Sequence, residues 1–468
     1  MFKDQITQPI ISASIPLRSE TLAVCRHQHI QTSTSRSLVV TPEDVESWSW
    51  NSKKKTHGGS RKPRASDFRG QHYHRQHFVF NARLRNPMVS CDDTAVCVLS
   101  SDRRVLSSRR YANREVQNRL GGICPSLAAE QHRSYVDRFV NECLKESGRR
   151  LSDLDAVAVS TRPGLVIALK VGINKALSLA REGHIQFVNV HHMQAHATIA
   201  SLLYPQLLYP YVCVLISGGH ALITVANGPA NFDVLASSLS GSPGECLDKL
   251  ARALPSNAFQ FGYSHPGAAL EQLASKCSPN GHLRYKIAMP GTNGPNFNFT
   301  TIKNSYVTLL RKMSPDALHV EDFCASVQHS VAAHLANKLH HCLEYIQHSD
   351  MIPSERRYIV ISGGVASNAY ILGALQKVGD AYGYSVLAPP ARLCCDNAEM
   401  VAWNGIELIR TSSPAVIQAS DLPWSISAQR RSPIGRDISA ELPTKPKVRL
   451  SMKSIAEPKL VFYHKPHV

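Results

Sequence analysis

The chain has 468 residues, 43% of them hydrophobic, with 52 Lys and Arg against 35 Asp and Glu and a formal net charge of +17. That is enough for a large core or two domains, and the basic excess suits a negatively charged partner such as a nucleic acid or a nucleotide. No apolar run approaches the ~18 residues of a membrane span, and twelve cysteines without a CxxC pair read as reduced, buried thiols in the cytosol or mitochondrial matrix, which excludes a disulfide framework.

Residues 1–87 differ from all that follows. Their opening, MFKDQITQPIISASIPLRSETLAVCRHQHIQTSTSRSL, is basic and rich in Ser and Thr, the composition of a mitochondrial transit peptide. The remainder of that leader shows no sustained helical or strand period and reads as disordered. From Ser90 the pattern becomes α/β. TAVCVLS is a short strand entering a hairpin, and PSLAAEQHRSYVDRFVNECLKESG is a helix stopped by Gly148. LDAVAVST is a strand, RPGLVIALKVGINKALSLAREG a turn and a helix, and IQFVNV a strand. The pattern then restarts. YVCVLISGGHALITVAN gives two strands about a glycine turn, PGECLDKLARAL a helix, and SVQHSVAAHLANKLHHCLEYI a long helix. RYIVISGGVASNAYILGALQKVG reads as strand, glycine turn and helix, YSVLAPP as a strand, and DNAEMVAWNGIELIR as a helix. The chain after Thr411 is polar and contains prolines. A hairpin followed by helices thus occurs twice, and two such halves with a cleft between them suit a nucleotide fold.

Five stretches carry chemistry. In NVHHMQAHA, His192 and His196 stand four apart and share one helix face, as a metal pair or as a polar surface. Ser217-Gly218-Gly219 ends a strand in a tight turn, either an anion cradle or an ordinary hairpin. In ISGGVASN, the helix start favours a phosphate or ribose, and Asn368 is a ligand contact or a helix cap. In PGECLDKLAR, Glu245, Asp248 and Lys249 form a substrate-facing set or a solvated charged face. Asp396, in PPARLCCDNAEMVAW, is an N-cap or the third member of a two-His, one-carboxylate metal set.

In this order and spacing, SCDDTAVCVLS, GGICPSLAAEQHR, PGLVIALKVG, HHMQAHA, LISGGH, PGECLDKLAR, GGVASNAYI and PPARLCCDNAEMVAW resemble the tRNA threonylcarbamoyladenosine synthase family, once called O-sialoglycoprotein endopeptidases. The resemblance covers roughly residues 90–410. TRPGL, PGECLDKLAR and the tail RRSPIGRDIS are similar to the mitochondrial branch. It implies an α/β, actin-like and sugar-kinase-like fold of two lobes with duplicated mixed sheets flanked by helices. The expected layout is a leader at 1–87, first lobe at 88–200, second lobe at 201–403, then a closing helix and polar tail at 404–468.

The implied reaction moves the threonylcarbamoyl group from threonylcarbamoyl-AMP to N6 of adenosine 37 in mitochondrial tRNAs reading codons that begin with adenine, in the matrix. Carried over by position, His192, His196 and Asp396 fall on metal ligands, for one divalent ion per subunit, iron or zinc rather than magnesium. Leu215, Ile216, Ser217, Gly218 and Gly219, with Asp248, Gly267 and Asn368, fall on substrate-binding positions. Asp248 is a candidate general base and His191 is structural. The partners implied are tRNA and threonylcarbamoyl-AMP, with no membrane; a homodimer is compatible.

The chain departs from the family at Met88-Val89, where Glu-Thr is expected, at Gln194 for Glu, at Cys395 for Thr, and in FNFTTIKN at Phe297–Asn304. The apolar first strand reads as missing, replaced by NARLRNP, with Pro87 unable to donate to a central ladder, and a misplaced gene start is the preferred account. A zinc protease requires Glu directly after its first His; Met193 stands there. A non-catalytic nucleotide-binding scaffold of the same fold is the remaining alternative, and it has no need of His192, His196 and Asp396 together.

Overall fold

A computed structural model describes residues 76–82, 93–113, 124–255, 265–291, 293–451 and 453–464. Two mixed sheets organise them. In the first, β1 (Gln76–Ala82), β2 (Asp93–Ser100) and β3 (Val105–Ala112) run antiparallel, and β4 (Ala156–Arg162) and β5 (Gln186–His191) continue parallel to β1, in the order β3-β2-β1-β4-β5. In the second, β6 (Tyr211–Ile216), β7 (Ala221–Ala226) and β8 (Phe232–Ser240) run antiparallel; a short β9 (Phe297–Asn298) pairs with β8, and β10 (Tyr358–Ser362) and β11 (Ser385–Leu387) continue parallel to β6. The order β8-β7-β6-β10-β11 repeats the first sheet strand for strand. The two halves of the sequence therefore form a structural duplication.

Burial on both faces explains why the strands read as continuous apolar runs. Alternate residues of β2 point to opposite faces. Val96 and Val98 join a core with Phe139 and Val140 of α1 (Pro125–Ser147) and Ile173 of α2 (Val166–Gly183). Ala95, Cys97 and Leu99 join another with α3 (His192–Leu203) and the last long helix. The second sheet packs against α4 (Pro243–Arg252), α5 (Pro266–Ala274), α6 (Phe299–Lys312), α7 (Val320–His348) and α8 (Ala369–Ala381). The described cysteines are all free thiols, most of them buried. No helix among the described residues is long and apolar enough to cross a membrane.

Two expectations change. The first strand is present and runs into the first two residues of NARLRNP: QHFVFNA forms β1 at the sheet centre, paired from Gln76↔Ser100 to Ala82↔Thr94 and in parallel with β4. Its short run of strand-forming residues is flanked by histidines and arginines, which hid it in the basic leader. Pro87 lies beyond the strand's end and removes no bond of that ladder. The first lobe thus reaches back at least to Gln76, upstream of the expected boundary at residue 88. The expected transit peptide, the rest of the leader to residue 75 and Met88-Val89 lie outside the described residues.

The boundary at 403 also moves. The closing helix is one element, α9 (Ala398–Arg410), and it packs on the first sheet, with Trp403 fully buried. The tail is polar but built in. β12 (Val416–Ile417) adds to β5, β13 (Arg436–Asp437) adds to β8, and β14 (Val448–Leu450) pairs with β15 (Phe462–His464), burying Leu450 and Ile455 in the second core.

Candidate functional site

Helix α3 starts directly from β5 and is wedged between the two sheets. Met193 and Ala197 pack against Cys213 and Leu215 of β6 and Val360 of β10, while Ala195 and Ile199 pack with Met400 and Trp403 of α9. Its N-cap is His191, whose Nδ1 accepts from the Met193 N–H at 3.2 Å and whose Nε2 donates to the Ser432 carbonyl at 3.2 Å. Both nitrogens are committed to a neutral ring. Burial, helped by the nearby Arg162 and His220, outweighs the Ser432 bond and holds its pKa down at about 4. His191 is structural, as the sequence indicated.

His192 and His196, one turn apart and both buried, stack edge to face with ring centroids 4.7 Å apart. Asp396 reaches them across 200 residues of sequence: Oδ1 lies 2.7 Å from His196 Nε2 and Oδ2 lies 3.8 Å from His192 Nε2. One ligand atom from each of the three falls within 4.8 Å of the others. The packing of α9 on α3 makes this meeting possible. Trp403 Nε1 donates to Ser201 Oγ at 2.7 Å, and Asn404 Nδ2 donates to Thr198 Oγ1 at 3.3 Å.

The cap of α9 is Asn397, not Asp396. Asn397 Oδ1 accepts from the Met400 N–H at 2.7 Å, and its Nδ2 donates to the carbonyls of Leu393 and Cys395 at 3.1 and 2.7 Å. That division of labour turns the Asp396 carboxylate to the imidazoles. Asn397→Ala is expected to cost about 1 kcal/mol of stability through the lost cap, read as a lower midpoint in urea unfolding, and an unchanged midpoint would remove the cap from this account. Cys394 is turned away, its thiol on the Pro389 carbonyl at 2.9 Å and pushed by burial up to about 12.

The glycine turns converge beside this centre. At the end of β6, Ser217 N–H donates to the His220 carbonyl at 2.9 Å, and Ser217 Oγ accepts from the N–H groups of Gly219 and His220 at 3.3 and 3.2 Å. The turn therefore spends on itself several donors that the sequence reading offered to an anion. Leu215 and Ile216 are buried strand residues. The start of α4 closes on the turn: Gly244 N–H donates to the Ser217 carbonyl at 3.2 Å, Ser242 Oγ donates to the Gly218 carbonyl, and a Cβ at Gly244 would sit 2.5 Å from Gly218 Cα. Gly363, after β10, comes equally close to Ile216. The turn at Gly364–Ser367 touches β6, α4 and the single helical turn Ala391–Cys394 that leads to Asp396.

Asp248 and Gly267 are brought together, Oδ1 accepting from the Gly267 N–H at 3.0 Å with His265 Nδ1 3.3 Å away. Asn368 has the cap role that was its alternative: Oδ1 accepts from the Ile371 N–H at 3.0 Å and Nδ2 donates to Gln328 Oε1 at 3.1 Å. Glu245 lies not on a solvated helix face but buried between Lys249 and Lys303, 2.7 and 3.2 Å away. Burial works against its charge, yet the two lysines prevail and keep the carboxyl below its usual range. Lys303 lies 58 residues downstream, in the FNFTTIKN stretch, so no local pattern could announce the pair.

Two sheets of one topology, with a His/His/Asp set and converging glycine turns between them, define a two-lobed α/β protein with duplicated mixed sheets flanked by helices. The family model described as tRNA N6-adenosine threonylcarbamoyltransferase matches residues 104–403, and the chain belongs to that family. It is 44% identical over 380 residues to the probable mitochondrial tRNA N6-adenosine threonylcarbamoyltransferase of Caenorhabditis elegans, covering 80% of this chain and 90% of that one. The human mitochondrial relative is 34% identical over 368 residues, covering 75% and 86%. Among solved structures, HypF from T. kodakarensis aligns with a TM-score of 0.46 at 16% identity, over 75% of this chain and 49% of that one.

Proposed function

We infer that this chain is a mitochondrial tRNA-modifying transferase that moves the threonylcarbamoyl group of threonylcarbamoyl-AMP to N6 of adenosine 37, in the matrix, on tRNAs reading codons that begin with adenine. The observation that carries the reading is the meeting of His192, His196 and Asp396 within 4.8 Å, where the glycine turns of the second lobe converge. The donor set fits a divalent ion: two imidazoles and one carboxylate suit iron or zinc, whereas magnesium favours oxygen alone. When bound there, such an ion supplies Lewis-acid polarisation of a substrate phosphate or carbonyl oxygen.

The substrate is a mixed anhydride, so its carbonyl carbon is already activated. The N6 nitrogen adds to it, the bond to the phosphate oxygen breaks, AMP leaves, and the nitrogen passes its extra proton to solvent water. The work left to the protein is to hold and orient. The start of α4 lies against the Ser217–Gly219 turn and fixes its shape. Asp248 fixes the first turn of α5 to α4 and so shapes the substrate wall. A homodimer belongs to this reading, and Leu127 and Ile167, half exposed on α1 and at the start of α2, are apolar residues available to it.

The scaffold alternative drew its support from a damaged first lobe, and β1 restores that lobe's central strand. The test is nucleoside mass spectrometry of mitochondrial tRNA from cells lacking this chain. Threonylcarbamoyladenosine is expected to vanish and to return with the intact chain but not with His192→Ala. Its persistence in those cells would reject the transferase reading.

A further inference from the structure

The segment Gln429–Ile434 runs along the C-terminal ends of the parallel strands β4 and β5, the end of an open α/β sheet where ligands gather. Gln429 N–H donates to the Thr161 carbonyl at 3.1 Å, and the Gln429 carbonyl accepts from the Gly164 N–H at 2.9 Å. Ser432 holds His191 through its carbonyl, and the Ile434 carbonyl accepts from Gln194 Nε2 at 3.0 Å. The strap is thus pinned to the β4 turn and to the helix that carries His192 and His196. Gln194 is suited to this as an amide donor; the glutamate expected of the family would set a carboxylate against a carbonyl.

Between these anchors stand Arg430 and Arg431, both exposed. Among the described residues neither has an acidic partner. Arg436, the third arginine of the same run, is paired with Asp233 at 3.0 Å. Half-buried Arg162, at the end of β4, adds a cation whose guanidinium donates to Asn189 Oδ1 at 3.2 Å. Two adjacent, unpaired guanidiniums on a pinned backbone beside a candidate centre suit planar, bidentate contacts to phosphates.

We propose that Arg430 and Arg431 form a lip that grips the phosphate backbone of the RNA substrate beside His192 and His196. The proposal rests on the transferase reading above and assigns to it residues that hold the RNA. The test measures binding of an in vitro transcribed tRNA with adenosine at position 37, as a function of salt, to the full chain, to R430Q/R431Q and to R430K/R431K. The glutamine pair is expected to bind about tenfold more weakly, with a salt slope shallower by about 1.4 to 1.8, since each phosphate contact contributes about 0.7 to 0.9. The lysine pair should retain most of the slope, which separates charge from folding. Wild-type affinity and slope in R430Q/R431Q would overturn the lip alone. A wild-type chain that binds this tRNA at no salt concentration would overturn the transferase reading, and the lip with it.

Discussion

If His192, His196 and Asp396 hold a divalent ion, the His196→Ala chain is expected to purify without one and to transfer the threonylcarbamoyl group on the order of 10³-fold more slowly than wild type. His196 is the imidazole closest to Asp396, and its loss leaves only His192 and the carboxylate, too few ligands to retain an ion in competition with water. Asp396→Ala should behave alike, and the double variant should be little worse than either single one, because the three side chains act as a unit. Chelation of the wild-type chain should abolish transfer, and either iron or zinc should restore it. Metal analysis by mass spectrometry together with single-turnover transfer decides the matter. A His196→Ala chain that keeps one metal per subunit and wild-type turnover would remove the metal from this site.

Gly363→Val should be nearly as damaging by a different route. The residue has φ +99°, and a Cβ there would lie 2.3 Å from the Ile216 carbonyl oxygen. The left-handed backbone costs a branched residue about 1–3 kcal/mol by itself. The collision cannot relax through a flexible side chain, because its target is the backbone of β6 at the centre of the second sheet. A total of about 3–5 kcal/mol is expected, a large part of the stability of an ordinary domain. Gly364→Ala next to it, where a Cβ meets nothing within 4 Å, should change stability by about 0.5 kcal/mol or less. Urea unfolding of the pair tests this, and a Gly363→Val chain as stable as Gly364→Ala would refute the close approach.

Much of this was legible in the sequence because buried parallel strands are written as apolar runs. β4, β5, β6 and β10 announce themselves in that way, and the four-residue spacing of His192 and His196 places them on one face. The meeting with Asp396 was not a local signal; it came from resemblance, and physically it depends on α9 folding back onto the first sheet. β1 was lost because strand-forming residues between basic flanks look like leader. Asn368 showed both its possible roles in the sequence, and only the geometry shows its side chain engaged as a cap. The strap was illegible for a simpler reason. It is held largely through its own carbonyl and amide groups, and such bonds leave no mark on residue identity.

The position of that strap also bears on when the molecule becomes competent. The carbonyl that orients the cap of α3 belongs to Ser432, and the carboxylate facing His196 arrives 200 residues after it. During synthesis the histidine helix is therefore made long before the groups that complete it. A ribosome paused just after β11 carries a chain with both glycine turns but an open first sheet, lacking α9 and β12. The site is therefore completed only once α9 and the strap have been made.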